Sequence, residues 1–145
     1  MKQSHDPLRP AAALVAVVFL LVGVAGFVPG LTSHVGDIQF AGHDSEAKLL
    51  GLFEVSVLHN VVHLLFGVVG LALAKTWNGA RAFLIGGAVV YAVLTVYGAL
   101  IDQHGAANFV GLNTADNWLH LVLAAGMAAL GVVLGRKPAA APVYA

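Results

Sequence analysis

The sequence predicts an all-α integral membrane protein, a four-helix bundle with both termini on the cytoplasmic side. Three observations predict it: an apolar composition, four apolar runs of spanning length, and a one-sided distribution of Lys and Arg. Of 145 residues, 59% are hydrophobic and 10% charged, with a mean hydropathy of +0.88. Soluble domains carry about 25% charged residues. A chain this short buries only a limited fraction of its surface, so lipid is the expected solvent.

The runs cover residues 11–28, 49–74, 82–101 and 118–134, each close to the roughly 17–25 residues of a spanning helix. Pro10 opens the first and Pro29-Gly30 closes it, residues suited to a helix start and stop. Lys2 and Arg9 followed by the apolar stretch 14–22 and Gly23-Val24-Ala25 also fit a cleaved signal peptide. The run continues through Phe27 and Val28, which suits an anchor better. The second run is expected to start from a cap at Asp44 or Ser45, with acidic charge at the helix start. His43, Asp44 and Glu46 are therefore read as an outer-loop cap, with a metal role as the alternative. Glu54 is expected on that helix, roughly opposite His59. In the fourth, Thr114 and Asn117 form a weak capping signal and Trp118 an interfacial anchor.

Orientation follows from positive charge, which is retained on the cytoplasmic side. Lys2 and Arg9 precede the first run, Lys75 and Arg81 bracket the second loop, and Arg136 and Lys137 follow the fourth run. Only Lys48 sits at the opposite boundary. The expected organisation is a cytoplasmic segment 1–10, a membrane domain 11–137 and a disordered tail 138–145, in a bacterial inner membrane.

Seven basic residues balance seven acidic ones, which sets nucleic acid aside as a partner. The absence of Cys excludes disulfides, thiolate metal sites and covalent haem attachment. No nucleophile elbow, P-loop, dinucleotide fingerprint or H-E-x-x-H is present, so no catalytic mechanism is indicated.

The polar residues of the runs fall in stripes at helical spacing. Ser56, His59, Asn60, His63, Gly67, Gly70 and Ala74 share one face of the second, and Asn113, Asp116, Asn117, His120, Ala124, Met127 and Gly131 one face of the fourth. The third offers Gly87, Tyr91, Thr95, Gly98 and Asp102, the first Ala12, Ala16, Phe19, Gly23 and Gly26. Polar groups at membrane depth are costly and small residues permit close helix approach, so these stripes should face the bundle interior. Asn60-x-x-His63-Leu64 and Asn117-x-x-His120-Leu121 also repeat, followed at equal distances by small residues. Such a repeat suggests duplication of a two-helix hairpin into parallel copies.

The candidate polar site is His59, Asn60, His63, Asn113, Asp116, Asn117 and His120, with Asp102 at its edge. His59 and His63 at i and i+4 can ligate one metal ion, joined by His120 and Asp116, and two opposed His can ligate haem. A proton or solute pathway is a third use of such groups. The simpler reading is a structural network of interhelical hydrogen bonds with no cofactor.

The run from Gly42 through His43, Asp44 and Glu46 to Gly51, that from Val57 to Gly67, and that from Leu112 to His120 resemble a family of small actinobacterial membrane proteins catalogued as a domain of unknown function, number 4383. The resemblance extends over residues 11–134. It implies a four-helix bacterial inner-membrane protein without an assigned activity, and draws attention to the same His, Asn and acidic residues. The expected role is a non-enzymatic structural or accessory subunit whose partners are the bilayer and either a second copy or another membrane protein. The alternative is a metal- or haem-binding protein with a redox, proton or small-solute transport role.

Overall fold

The computed structural model describes residues 6–136. Four helices, α1 (Leu8–Ala25), α2 (Val57–Leu73), α3 (Trp77–Leu100) and α4 (Thr114–Val133), form the bundle. Three are long and apolar enough to cross a membrane, and α2, with 17 residues, is a shorter apolar helix. At 1.5 Å per residue α2 is still about 26 Å long. Leu14, Leu21, Leu65, Val93 and Val122 point outward, a lipid-compatible surface. Lys2, Lys137 and the tail 138–145 lie outside the described residues.

Every helix starts away from its expected residue: α1 begins three residues earlier, with Pro10 inside its first turn, α3 five and α4 four residues earlier, and α2 eight residues later. Residues 48–54 do not extend α2. They form two strands of a small antiparallel sheet, β1 (Thr32–Ser33), β2 (Lys48–Leu49) and β3 (Phe53–Glu54), in the order β1-β2-β3. The cap of α2 is Ser56, whose Oγ accepts from the His59 N–H at 3.1 Å, and not Asp44 or Ser45. Ser45 instead donates to the Val55 carbonyl at 2.6 Å and pins the loop to β3. Consequently His43, Asp44 and Glu46 cap no helix, and Glu54 sits on a strand. A short apolar run looks alike as strand or helix in hydropathy. Similarly, α4 starts at Thr114 through a capping box of Asn113 and Asp116, not through Thr114 and Asn117.

The buried faces of the helices are the small and polar stripes. In α1 they include Ala12, Ala16, Phe19 and Gly23, in α2 His59, Asn60, His63, Gly67 and Gly70, and in α4 Asp116, His120, Ala124, Met127 and Gly131. Asp102 is the exception. Its side chain is exposed and accepts from the His104 N–H in the loop after α3.

The helices pair most extensively as α1 with α2 and α3 with α4, and equivalent residues of the two hairpins make equivalent contacts. Asn60 of α2 fills the notch left by Gly26 after α1, and Asn117 of α4 fills the notch at Gly98 of α3. Phe19 of α1 packs on His63, with ring centroids 5.8 Å apart, and Tyr91 of α3 on His120 at 5.1 Å. Phe19 and Tyr91 stack on each other at 5.3 Å where the hairpins meet. The correspondence extends the repeat to the odd helices. Arg9 matches Arg81, Ala16-Val17-Val18-Phe19 matches Ala88-Val89-Val90-Tyr91, and the caps Ser56 and Asn113 match as well. One end of the bundle gathers basic residues: Arg9 donates to the Ala74 carbonyl beside Lys75, and Arg81 lies against Gly135 beside Arg136. The opposite end carries the sheet, the α3–α4 loop and six of the seven acidic residues.

Candidate functional site

At the acidic end, immediately beneath the sheet, three imidazoles converge. Ser56 starts α2 so that His59 falls in its first turn and His63 directly below it. Their rings meet edge to face at 4.6 Å. The α4 capping box places His120 one turn into its helix, with its ring 6.1 Å from that of His59. One nitrogen from each of the three lies within 4.8 Å of the others. All three residues are at most 5% exposed.

The hydrogen bonding of these rings is incomplete. The Nδ1 atoms of His59, His63 and His120 are buried and none has a hydrogen-bond partner among the described residues. Leaving a buried polar atom unpaired costs about 1–3 kcal/mol. The His59 ring lies beside the backbone carbonyls of Glu54 and Gly111, where a ring N–H can donate. A bond from the ring to either carbonyl would fix the tautomer, as second partners of metal-ligating His residues do.

The other candidate residues play different parts. Asp116 accepts at Oδ2 from the Asn113 N–H at 3.0 Å and from the Glu54 N–H at 3.2 Å, so its carboxylate ties α4 to β3. It does not belong to the converging set. Asn113 accepts from the Asp116 N–H and donates to the Leu52 carbonyl at 2.8 Å. Asn60 is fully buried in the Gly26 notch, and both ends of its amide lack partners among the described residues. The Oδ1 of Asn117 is buried against Gly98, also without a partner among the described residues. Hence the seven residues form one region with three parts: a His cluster, a helix cap and two amide-filled notches.

Three residues near the site lie outside the seven candidates. Tyr91 packs at a tilt against His120, the Glu54 backbone lies beside His59, and Gly111, with φ of +76°, lets the α3–α4 loop approach Gly42 closely. The repeat marks Tyr91 as the counterpart of Phe19, which is visible in the sequence once the odd helices are aligned. The positions equivalent to His59 and Glu54 in the second hairpin are Asp116 and Gly111. The copies diverge where the site is built.

Chemically, three neutral imidazoles suit a borderline transition-metal ion such as Zn²⁺ or Co²⁺. Coordination at about 2.0–2.1 Å needs the nitrogens roughly 3.4 Å apart, so small ring rotations must draw them together from up to 4.8 Å. The mutually packed rings favour a single ion over a macrocycle inserted between them. No curated protein and no solved structure matches the chain. The family described as "Domain of unknown function (DUF4383)" matches residues 9–133, nearly all of the described bundle, and the chain belongs to that family.

Proposed function

We propose that this is a non-enzymatic, multi-pass protein of a bacterial cell membrane, with both termini cytoplasmic, that holds one transition-metal ion between His59, His63 and His120. The observation that carries the reading is the convergence of three buried imidazoles whose Nδ1 atoms have no partner within the described protein. A purely structural role would pair each nitrogen separately. The basic end formed around Arg9, Lys75, Arg81 and Arg136 supports the topology. In that topology the His cluster lies in the outer half of the bundle.

The test is metal content and Co²⁺ spectroscopy of the purified full chain. One ion per chain is expected, with the intense visible bands of low-coordinate Co²⁺. His63→Gln and His120→Gln should lose the ion while the helices persist, and His104→Gln in the exposed loop should keep it. A protein that neither carries nor takes up stoichiometric metal would sink the proposal.

A second reading has its own supporting observation. Asn60 against Gly26 and Asn117 against Gly98 are close-packed polar contacts suited to fixing helix register. They support a packing role for the amides, which can coexist with a metal at the imidazoles.

A further inference from the structure

Above the His cluster, the outer cap contains a cleft of about 480 Å³ lined by His34, His43, Glu46, Lys48 and Glu54 among others. Its walls are brought together by the sheet and the loop before it. His34 is held at φ of 50° just after β1, and Ser45 ties the His43–Glu46 segment to Val55. Glu54 connects this cleft to the metal candidates. Glu54 lines the cleft, its N–H donates to Asp116, and its backbone lies beside the His59 ring. The carboxylate Oε1 is buried without a hydrogen-bond partner among the described residues, close to Gly111. A carboxylate with an uncommitted buried oxygen is poised to accept a cation.

We propose that this cleft is the loading vestibule of the three-histidine site, receiving a hydrated divalent transition-metal ion from the outer side and passing it by way of Glu54 to His59. The inference rests on the metal reading above. The ligand types match a transit role: exposed Glu46 and half-buried His43 offer one oxygen or nitrogen each, enough to replace part of a hydration shell without holding the ion. The surrounding charge favours cations. The acidic end carries Asp37, Asp44, Glu46, Glu54, Asp102 and Asp116 against the single basic residue Lys48. The summed field of an end with this excess of negative charge attracts cations and raises their on-rates at low ionic strength. Lys48 is the element that opposes entry.

The experiment is stopped-flow loading of the apo full-length chain in detergent with Co²⁺ alone, with dissociation followed by chelator chase. In the double variant His43→Ala/Glu54→Gln the association and dissociation rates should both fall about tenfold, leaving Kd within threefold, because a vestibule alters the path and not the end state. Lys48→Glu should accelerate loading severalfold at low salt, an increase that misfolding cannot mimic, and the gain should vanish as salt is raised. Unchanged loading rates in both variants would overturn the vestibule while leaving the site intact. Faster dissociation at unchanged association would also overturn it, by making Glu54 a ligand. Absence of stoichiometric Co²⁺ in the wild-type chain would instead remove the three-histidine site on which the vestibule depends.

Discussion

Gly26→Ala is a direct probe of the notches that lock each hairpin. A Cβ at Gly26 would lie 2.0 Å from Asn60 Oδ1 and 2.4 Å from its Cγ, short of ordinary contact at 3.4 Å by about 1.4 Å for the oxygen. Asn60 is fully buried. Overpacking of this kind costs about 1–3 kcal/mol. Gly26 is the C-cap of α1, outside the helix interior, so the roughly 1 kcal/mol that Ala gains over Gly there is largely missing. At Gly98 the same substitution brings Cβ to 1.9 Å from Asn117 Oδ1. Yet Asn117 is only half-buried and also lines a groove with Trp118 and Asp102, and Gly98 lies inside α3, where Ala regains helix propensity. We therefore expect Gly26→Ala to destabilise the protein by about 1–3 kcal/mol and Gly98→Ala by less than about 1 kcal/mol. Equilibrium unfolding in mixed detergent micelles measures both. The double variant Gly26→Ala/Asn60→Ala, which removes the colliding amide, should recover most of the loss. Equal stability of Gly26→Ala and wild type, or no coupling in the cycle, would refute the argument.

Other expectations are local. Cys introduced singly at Ser33 or Ala107 of this Cys-free chain should react with an impermeant thiol reagent added outside intact cells, and Cys at Asn78 should not; the reverse pattern would invert the topology. Leu50 is exposed and held at φ of 53° in the β2–β3 turn, a conformation costing a non-glycine residue roughly 1–2 kcal/mol, so Leu50→Gly should raise the melting temperature. Gly111→Ala combines a positive φ with a Cβ 2.6 Å from the Gly42 carbonyl oxygen, and should loosen the cap, read as faster hydrogen exchange in residues 42–56 and 108–112. Burial raises the Glu54 carboxyl above its usual 4.5, with Lys48 and His43 pulling the other way. A carboxyl whose folded pKa is raised favours the fold when protonated, and that contribution is lost as pH rises through the folded value. Glu54→Gln should therefore raise the melting temperature relative to wild type at pH 7, with the difference shrinking below pH 4.5; a pH-independent difference would contradict it.

Most of the helical architecture was legible in the sequence because lipid imposes a stringent rule: polar and small residues must turn inward. That rule alone placed His59, Asn60, His63, His120 and Asp116 on buried faces. It also led to the two-hairpin repeat, although only half of it. The match between the odd helices is separated by 72 residues and that between the even helices by 57, so a single offset misses one of them. The segment 48–56 was misread because Leu49, Leu50, Leu52, Phe53 and Val55 are apolar whichever backbone they adopt. What made it a hairpin was pairing: with Thr32–Ser33 on one side, within itself around Gly51, and through Glu54 to Asp116.

The sequence by itself determined four apolar helices, the inward direction of their stripes, the basic end and the family resemblance, since each depends on periodicity or composition along one element. Tertiary structure decided the rest. That three histidines from two helices meet within 4.8 Å depends on where Ser56 and Asn113 start α2 and α4 and on how closely Gly26 and Gly98 let each pair approach. That Asp116 serves the cap and the Glu54 backbone lies beside His59 depends on a strand placed above the bundle by loop contacts such as Gly42 N–H to Phe109 carbonyl at 2.8 Å. Those are distances between elements far apart in the chain, set by mutual packing, and no periodicity within one helix encodes them.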